Sequence, residues 1–304
     1  MPWGYGNSVN NLLRLLVFCV GLAWWMGAKG WAADELQYIP DAGVRVDHAS
    51  NPIAEIDEAS GQIQLMVELH LPRRRVTMFS QDGLIFSTEQ ARDLRTMQGP
   101  TVKLPNGIFR RFLYDPRVAQ LLSEGSTDGI QFSRESGSCY TLPAVDRGTF
   151  GVYDVFLDRA GGVVLLYVGD LHGLNNIRRA YSTDEGATFH FERADVLGDA
   201  KFGGAGRSFV DHKVIRLSDG RLRLFAMQGG RGIYSFISGD EAQTFHQELG
   251  TRLAREDFNE IDALSLHDPT IIRLLDWRYR MYVCAKIVSD EADEHEVIVS
   301  ATTR

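Results

Sequence analysis

Three aspartates, Asp154, Asp211 and Asp268, stand at equivalent points of a phrase that recurs along the chain, in the contexts VYDVFL, VDHKVI and HDPTII. Asn51 and Pro100 hold the same point in two further copies, and His48, Tyr153, His212 and His267 lie next to or near these positions. If the fold gathers them, three carboxylates converge. Convergent carboxylates repel one another, which raises the pKa of at least one unless a cation compensates. A protonated carboxyl beside an ionised one suits cleavage of a glycosidic bond, because one protonates the leaving oxygen while the other attacks or activates water. Asp154, Asp211 and Asp268 are therefore the candidate catalytic residues. Asn51, His48, His172, Asn175, Arg178, Arg179, His212, Arg231 and His267 are the candidates for holding sugar hydroxyls or an acidic sugar. A plainer role is open to each aspartate, since a carboxylate at a strand start can simply bond the neighbouring backbone. The His and Asp residues follow no metal-ligand spacing and no cofactor is expected, although oxygen ligands from several strands would suit a structural Ca²⁺.

What positions these residues is a repeat. FSQDGLIF from Phe79, GSTDGIQF from Gly125, YSTDEGATF from Tyr181 and ISGDEAQTF from Ile237 place Ser80, Ser126, Ser182 and Ser238 at steps of 46, 56 and 56 residues. Such periods belong to solenoids and propellers. Ahead of each Ser, an apolar run rich in Val and Ile, a short turn bearing Asp, Asn or Gly, and a second apolar run read as a β-hairpin. A third strand ends at the Ser-x-Asp turn and a fourth follows. Four strands taken five times predict an all-β chain, a five-bladed β-propeller of four-stranded antiparallel blades. VIVSATTR from Val297 reads as a third strand with no fourth after it, and DAGVRVDH from Asp41 reads as a spare fourth strand. Residues near Asp41 to Asp47 are thus expected to complete the last blade and close the ring without an unpaired edge. Strand order puts the Ser-x-Asp turns on one face. The strand-one starts and the variable loops between strands two and three fall on the other, where binding tends to reside. Gly203 to Gly206 read as the crossover into the fourth blade, and Glu291 to Glu296 as solvated loop.

The phrase from Ser182 to Phe189 resembles the Asp-box, or BNR repeat, of sialidases and related propellers. Ser238 to Phe245 departs from it with Ala242 where Gly is expected, and the copies at Ser80 and Ser126 resemble a shorter Ser-x-Asp-Gly variant. In this box the Asp and Ser side chains bond free turn amides and Gly permits positive φ, so Asp82, Asp128, Asp184 and Asp240 read as structural. Sialidases use six blades, an arginine triad, a Tyr–Glu nucleophile pair and an acid Asp. Here five blades are expected, and the nearest match to Phe/Tyr-Arg-Ile-Pro is Phe109-Arg110-Arg111-Phe112. Arabinanases and levansucrases are similar in architecture, with an Asp base, a second Asp and a Glu acid around the axis. The resemblance implies a carbohydrate-active propeller, an exo-acting glycoside hydrolase of sialidase-like or arabinanase-like type with a carbohydrate as its partner. A non-catalytic propeller that binds glycan or protein is the alternative.

The 304 residues are 44% hydrophobic, enough to bury a substantial core. Residues 12–28 are apolar with a single Arg, and GWAAD follows at Gly30, the pattern of a secretory signal peptide over residues 1–32 ahead of a single domain at 33–304. A secreted or periplasmic location follows, an uncleaved membrane anchor being the alternative. Without Arg14 and Lys29 the remainder carries 30 basic and 40 acidic residues, a charge of −10, which argues against nucleic acid or an anionic membrane as partner. No heptad or large apolar stripe points to a protein partner, so a monomer is expected. Cys139 and Cys284 fall in blades two and five and are expected to be buried and unpaired.

Overall fold

In the computed structural model the described residues run from 36 to 304, without 58, 94–98, 147–149, 172–173, 194, 198–207 and 289–292. They form five antiparallel sheets, the blades of a propeller. Blade one is Ala49–Ile56, Ile63–His70, Arg73–Ser80 and Arg92–Asp93. Blade two is Thr101–Lys103, Phe109–Asp115 and Gln120–Ser126, its outer place shared by Ser133–Arg134 and Tyr140–Thr141. Blade three is Tyr153–Leu157, Val163–Leu171, Leu174–Ser182 and His190–Arg193. Blade four is Phe209–Arg216, Leu222–Gln228 and Gly232–Ser238, with His246–Gln247 and Leu253–Ala254 both on its outer edge. Blade five is Ser265–Arg273, Tyr279–Val288 and Glu294–Thr303, completed by Tyr38–Pro40 from the start of the described chain. The apolar segment read as a signal peptide and the Gly203–Gly206 crossover lie outside the described residues. Among the described residues no helix is long and apolar enough to cross a membrane.

Second strands explain the apolar runs. Val163 to Tyr167 and Met281 to Ala285 are all fully buried, because an inner strand is covered by neighbouring blades on both faces. Such strands read as continuous hydrophobic runs rather than as alternation. One shared core joins blades three and four through Val164, Leu166, Leu224 and Phe236. Another joins blades five and one through Leu65, Val67, Met78, Tyr282 and Ile298. Each fully buried Leu, Val or Ile contributes about 1.5–3 kcal/mol, so the seams between blades hold the ring together. Cys139 and Cys284 are free and buried in these seams, as expected.

Ring closure starts slightly earlier than the sequence indicates. Regular pairing covers Tyr38 opposite Thr303 and Pro40 opposite Ala301. The chain then follows the same strand loosely, with Asp41 N donating to Ser300 O at 2.9 Å and Arg45 N to Ile298 O at 2.7 Å. The Asp41 carboxylate accepts from the Ser300 and Thr302 hydroxyls at 2.7 and 2.9 Å, which pulls residues 41–46 out of regular register.

At the far face the Ser-x-Asp turns are built alike. In blade one Ser80 Oγ donates to Asp82 at 2.9 Å, and the carboxylate accepts from the amides of Leu84 and Ile85. In blade four Asp240 accepts from Thr244 N at 2.9 Å. There Ala242 takes the left-handed conformation, φ 63°, that Gly186 supplies in blade three. Two of the turns also lean on the preceding blade: Tyr282 OH donates to Gly83 O at 2.8 Å, and Arg159 pairs with Glu241 at 3.1 Å. All four turn aspartates are therefore architectural.

Candidate active site

The first strands of blades one, four and five share a defect that blade three lacks. Pairing to the second strand slips between Ser50 and Ile53, between Val210 and Lys213, and between His267 and Thr270. In each case two residues oppose one, a β-bulge, which re-aims side chains locally. The first bulged residue takes a left-handed backbone: Asn51 at φ 53°, Asp211 at 51° and Asp268 at 52°. Asn and Asp tolerate this conformation better than other non-glycine residues. Blade three pairs without slipping through Tyr153, Asp154 and Val155.

All three aspartates nevertheless border one axial cavity of about 540 Å³, within the range of small-molecule sites. Its wall draws on every first strand, from Asn51 to Glu55, Pro100 and Thr101, Tyr153 to Val155, Asp211 to Lys213 and Asp268 to Thr270. Asp154 is 4% exposed and its carboxylate is engaged. Oδ2 accepts from Val214 N at 2.9 Å and Oδ1 from Lys213 Nζ at 2.9 Å, so it ties blade three to blade four. The straight strand leaves it on the cavity wall but reaching sideways to the next blade.

Asp211 and Asp268 differ from it. Burial first and then the negative charge of Asp268 raise the Asp211 carboxyl to about 6, against the opposing pull of the His267 charge and the Asp268 amide. Asp268 Oδ2 lies 3.3 Å from His267 Nδ1. Burial works against a charged His267, but the bond to Asp268 and the charges of Asp268, Glu296 and Asp211 outweigh it, so its pKa is raised. Behind it Glu296 sits between two imidazoles, 3.6 Å from His267 Nε2 and 3.5 Å from His70 Nε2. His70 Nε2 in turn meets Ser50 Oγ at 2.9 Å. Glu296, read from sequence as solvated loop, belongs to the strand Glu294–Thr303 and faces this row of histidines. Only the register of the last strand reveals that position.

His212 also borders the cavity and is 2% exposed. Burial lowers its pKa to about 4 against the opposing charge of Asp154 and a backbone hydrogen bond to Leu166, so the ring is neutral. Lys213 was missed from sequence; its bond to Asp154 depends on two blades meeting.

Other expected ligand-holding residues lie elsewhere. Arg178 is fully buried, paired with Asp146 in a network that includes Tyr167 OH donating to Asp146 at 2.7 Å. Arg179 is 1% exposed, paired with Glu192 and reaching Glu241 O at 3.3 Å beside the blade-four turn. Neither guanidinium borders the axial cavity: two successive residues of a third strand point into opposite inter-blade seams. Asn175 and Arg231 are exposed at the turns between strands two and three, away from the cavity wall. His48 stacks on His295, with ring centroids 4.3 Å apart, also outside that wall. His172 lies outside the described residues.

No family model matches the chain, and no curated protein matches it. Solved structures do. The chain is similar to the catalytic domain of an α-L-arabinofuranosidase from Coprinopsis cinerea, at 11% identity and a TM-score of 0.61 over 88% of this chain and 97% of that one. An α-L-arabinofuranosidase from Podospora anserina in complex with cellotriose matches at 11% identity and a TM-score of 0.60, over 89% and 97%. An endo-arabinase from Bacteroides thetaiotaomicron matches at 15% identity and 0.55, over 88% and 97%. The shared property is the five-bladed propeller.

Proposed function

We propose that this chain is a carbohydrate-active propeller that hydrolyses glycosidic bonds, with Asp211 as the proton donor and Asp268 as the ionised carboxylate that attacks or activates water. The observation that carries this reading is the pair itself: two bulged aspartates from adjacent blades, at one axial cavity, one of them raised to about 6. The like charge of Asp268 helps to keep Asp211 protonated. His212 and Asn51 would hold sugar hydroxyls. The glycoside hydrolases among the structural neighbours support a sugar as substrate.

Between the sialidase-like and arabinanase-like types the cations favour a neutral sugar. The cavity's basic residues, Lys213 and Arg75, are bonded to Asp154 and Glu68. An acidic sugar needs uncommitted guanidinium groups. Export to the periplasm or medium, resting on the apolar segment at residues 12–28, and a monomeric state belong to the same proposal. A non-catalytic glycan-binding role is favoured by one feature, the amide of Asn51 where a third bulged carboxylate would stand.

The test is hydrolysis of a panel of chromogenic glycosides and arabino- and xylo-oligosaccharides by the full chain, with Asp211→Asn and Asp268→Asn beside it. Each substitution is expected to cost at least about 100-fold in kcat. A wild type inactive on the panel that still binds glycans selects the second reading, and an active Asp268→Asn removes the proposed chemistry.

A further inference from the structure

Away from the axial cavity, a second group of side chains is gathered where the ring closes. Asp47 and His48 follow the closing segment, whose Val46 bridges to Ile298, and His295 comes from the last strand. One ligand atom from each of Asp47, His48 and His295 lies within 4.8 Å of the other two. Asp47 Oδ1 is 3.1 Å from His295 Nε2 and also accepts from the His48 amide at 2.9 Å, which fixes the carboxylate. His48 holds a left-handed backbone, φ 48°, a conformation kept only where the surroundings impose it. The result is two near-parallel imidazoles, 24° apart, with their edges close to one carboxylate.

We propose that Asp47, His48 and His295 bind a divalent transition metal ion of the zinc type, which clasps the start of the propeller to its last blade. Two imidazoles and a carboxylate are a donor set that Zn²⁺ takes with water in the fourth place. Access is open, since the Asp47 side chain is 64% exposed while that of His295 is 12% exposed. His295 Nδ1 is buried with no partner among the described residues, so nothing there holds the ring against presenting Nε2 to an ion. The neighbouring 290 Å³ hollow carries one further acid, Glu89, beside Arg74, which pairs with Asp93 at 2.9 Å. The ligands sit at opposite ends of the sequence, so binding would cross-link nearly the whole chain and be felt as folding stability.

The experiment is titration of the chelator-treated full chain with zinc chloride by calorimetry, repeated with cobalt chloride for its visible ligand-field bands. One ion per chain is expected, with tetrahedral-type cobalt bands and a melting temperature raised by roughly 5 °C at a hundredfold excess over Kd. His295→Ala and Asp47→Asn should each weaken binding at least tenfold. Cys284→Ser and His246→Ala should leave it unchanged, which separates this site from the His267, Cys284 and Glu296 group and from surface histidines. Absence of binding by the wild type overturns the proposal. So does unaltered affinity in both clasp variants, or loss with Cys284→Ser. If His295→Ala does not fold, His48→Gln gives the same reading, and the wild-type cobalt spectrum decides without any variant.

Discussion

Replacing Asp211 by Asn should make the protein more stable at neutral pH. The Asp211 carboxyl stands at about 6 in the fold against 3.8 as a free side chain, chiefly because burial disfavours its charge. The folded state therefore holds the proton more tightly than the unfolded chain. That contribution is fully present below pH 3.8 and is lost as pH rises through 6. At pH 8 the ionised group costs about 3 kcal/mol. Asn removes the charge, accepts the left-handed backbone and can still receive the Asp268 amide. Urea unfolding of wild type and variant from pH 3.5 to pH 8 measures this directly. The gain should be about 0.3 kcal/mol at pH 3.5 and reach about 3 kcal/mol at pH 8, with the melting temperature then higher by about 6 °C. The variant should be catalytically dead. A variant less stable at pH 8, or a gain that does not change with pH, would refute the view of Asp211 as a carboxyl whose surroundings disfavour its charge.

Hydrolysis should need protonated Asp211, so kcat/KM is expected to fall about tenfold per pH unit above pH 6, as a pH–rate profile will show. His212 has a lowered pKa, so its stabilising effect is present above 6.5 and is lost as pH falls toward 4; His212→Gln should flatten the acid side of the stability curve. Asp154→Ala should cost about 3 kcal/mol by leaving Lys213 and the Val214 amide without their partner, while Asp154→Asn, measured by kcat per folded molecule, stays active. Asp146→Asn should destabilise by about 3–5 kcal/mol in chemical denaturation, because it removes the carboxylate charge from the buried Arg178 guanidinium. Burial holds the Cys139 thiol up to about 12, so alkylation at pH 8 should label it only after denaturant is added.

Much of this architecture can be read in one dimension because the turns and second strands are local signals. Ser80, Ser126, Ser182 and Ser238 mark the end of third strands, and counting back from them finds each first-strand start. That register is what brings Asp211 and Asp268 to the axis. It also brings Asp154, and there periodicity misleads: the chain does not show that blade three lacks the bulge, so a residue in the same row turns to the next blade. Arg178 and Arg179 fail for a related reason. Their partners Asp146 and Glu192 belong to a loop and an outer strand, whose placement depends on packing between blades. Glu296 and Lys213 acquire their roles only from contacts across the seams between blades five and one and between blades three and four.

The three bulges act as a filter on residue type. A backbone at φ near 50° disfavours branched and bulky side chains on steric grounds and leaves Gly, Asn and Asp as the comfortable occupants. Two of those three carry an oxygen that can accept a hydrogen bond or a proton. The geometry that turns a side chain toward the axis thus also restricts which chemistry can be installed there. Substituting Glu at 211 or 268 would keep the charge yet strain the strand, whereas exchange between Asp and Asn switches a position between carboxylate and amide at little cost to the backbone. Around this axis, the folding of the strands and the choice of functional group are one constraint.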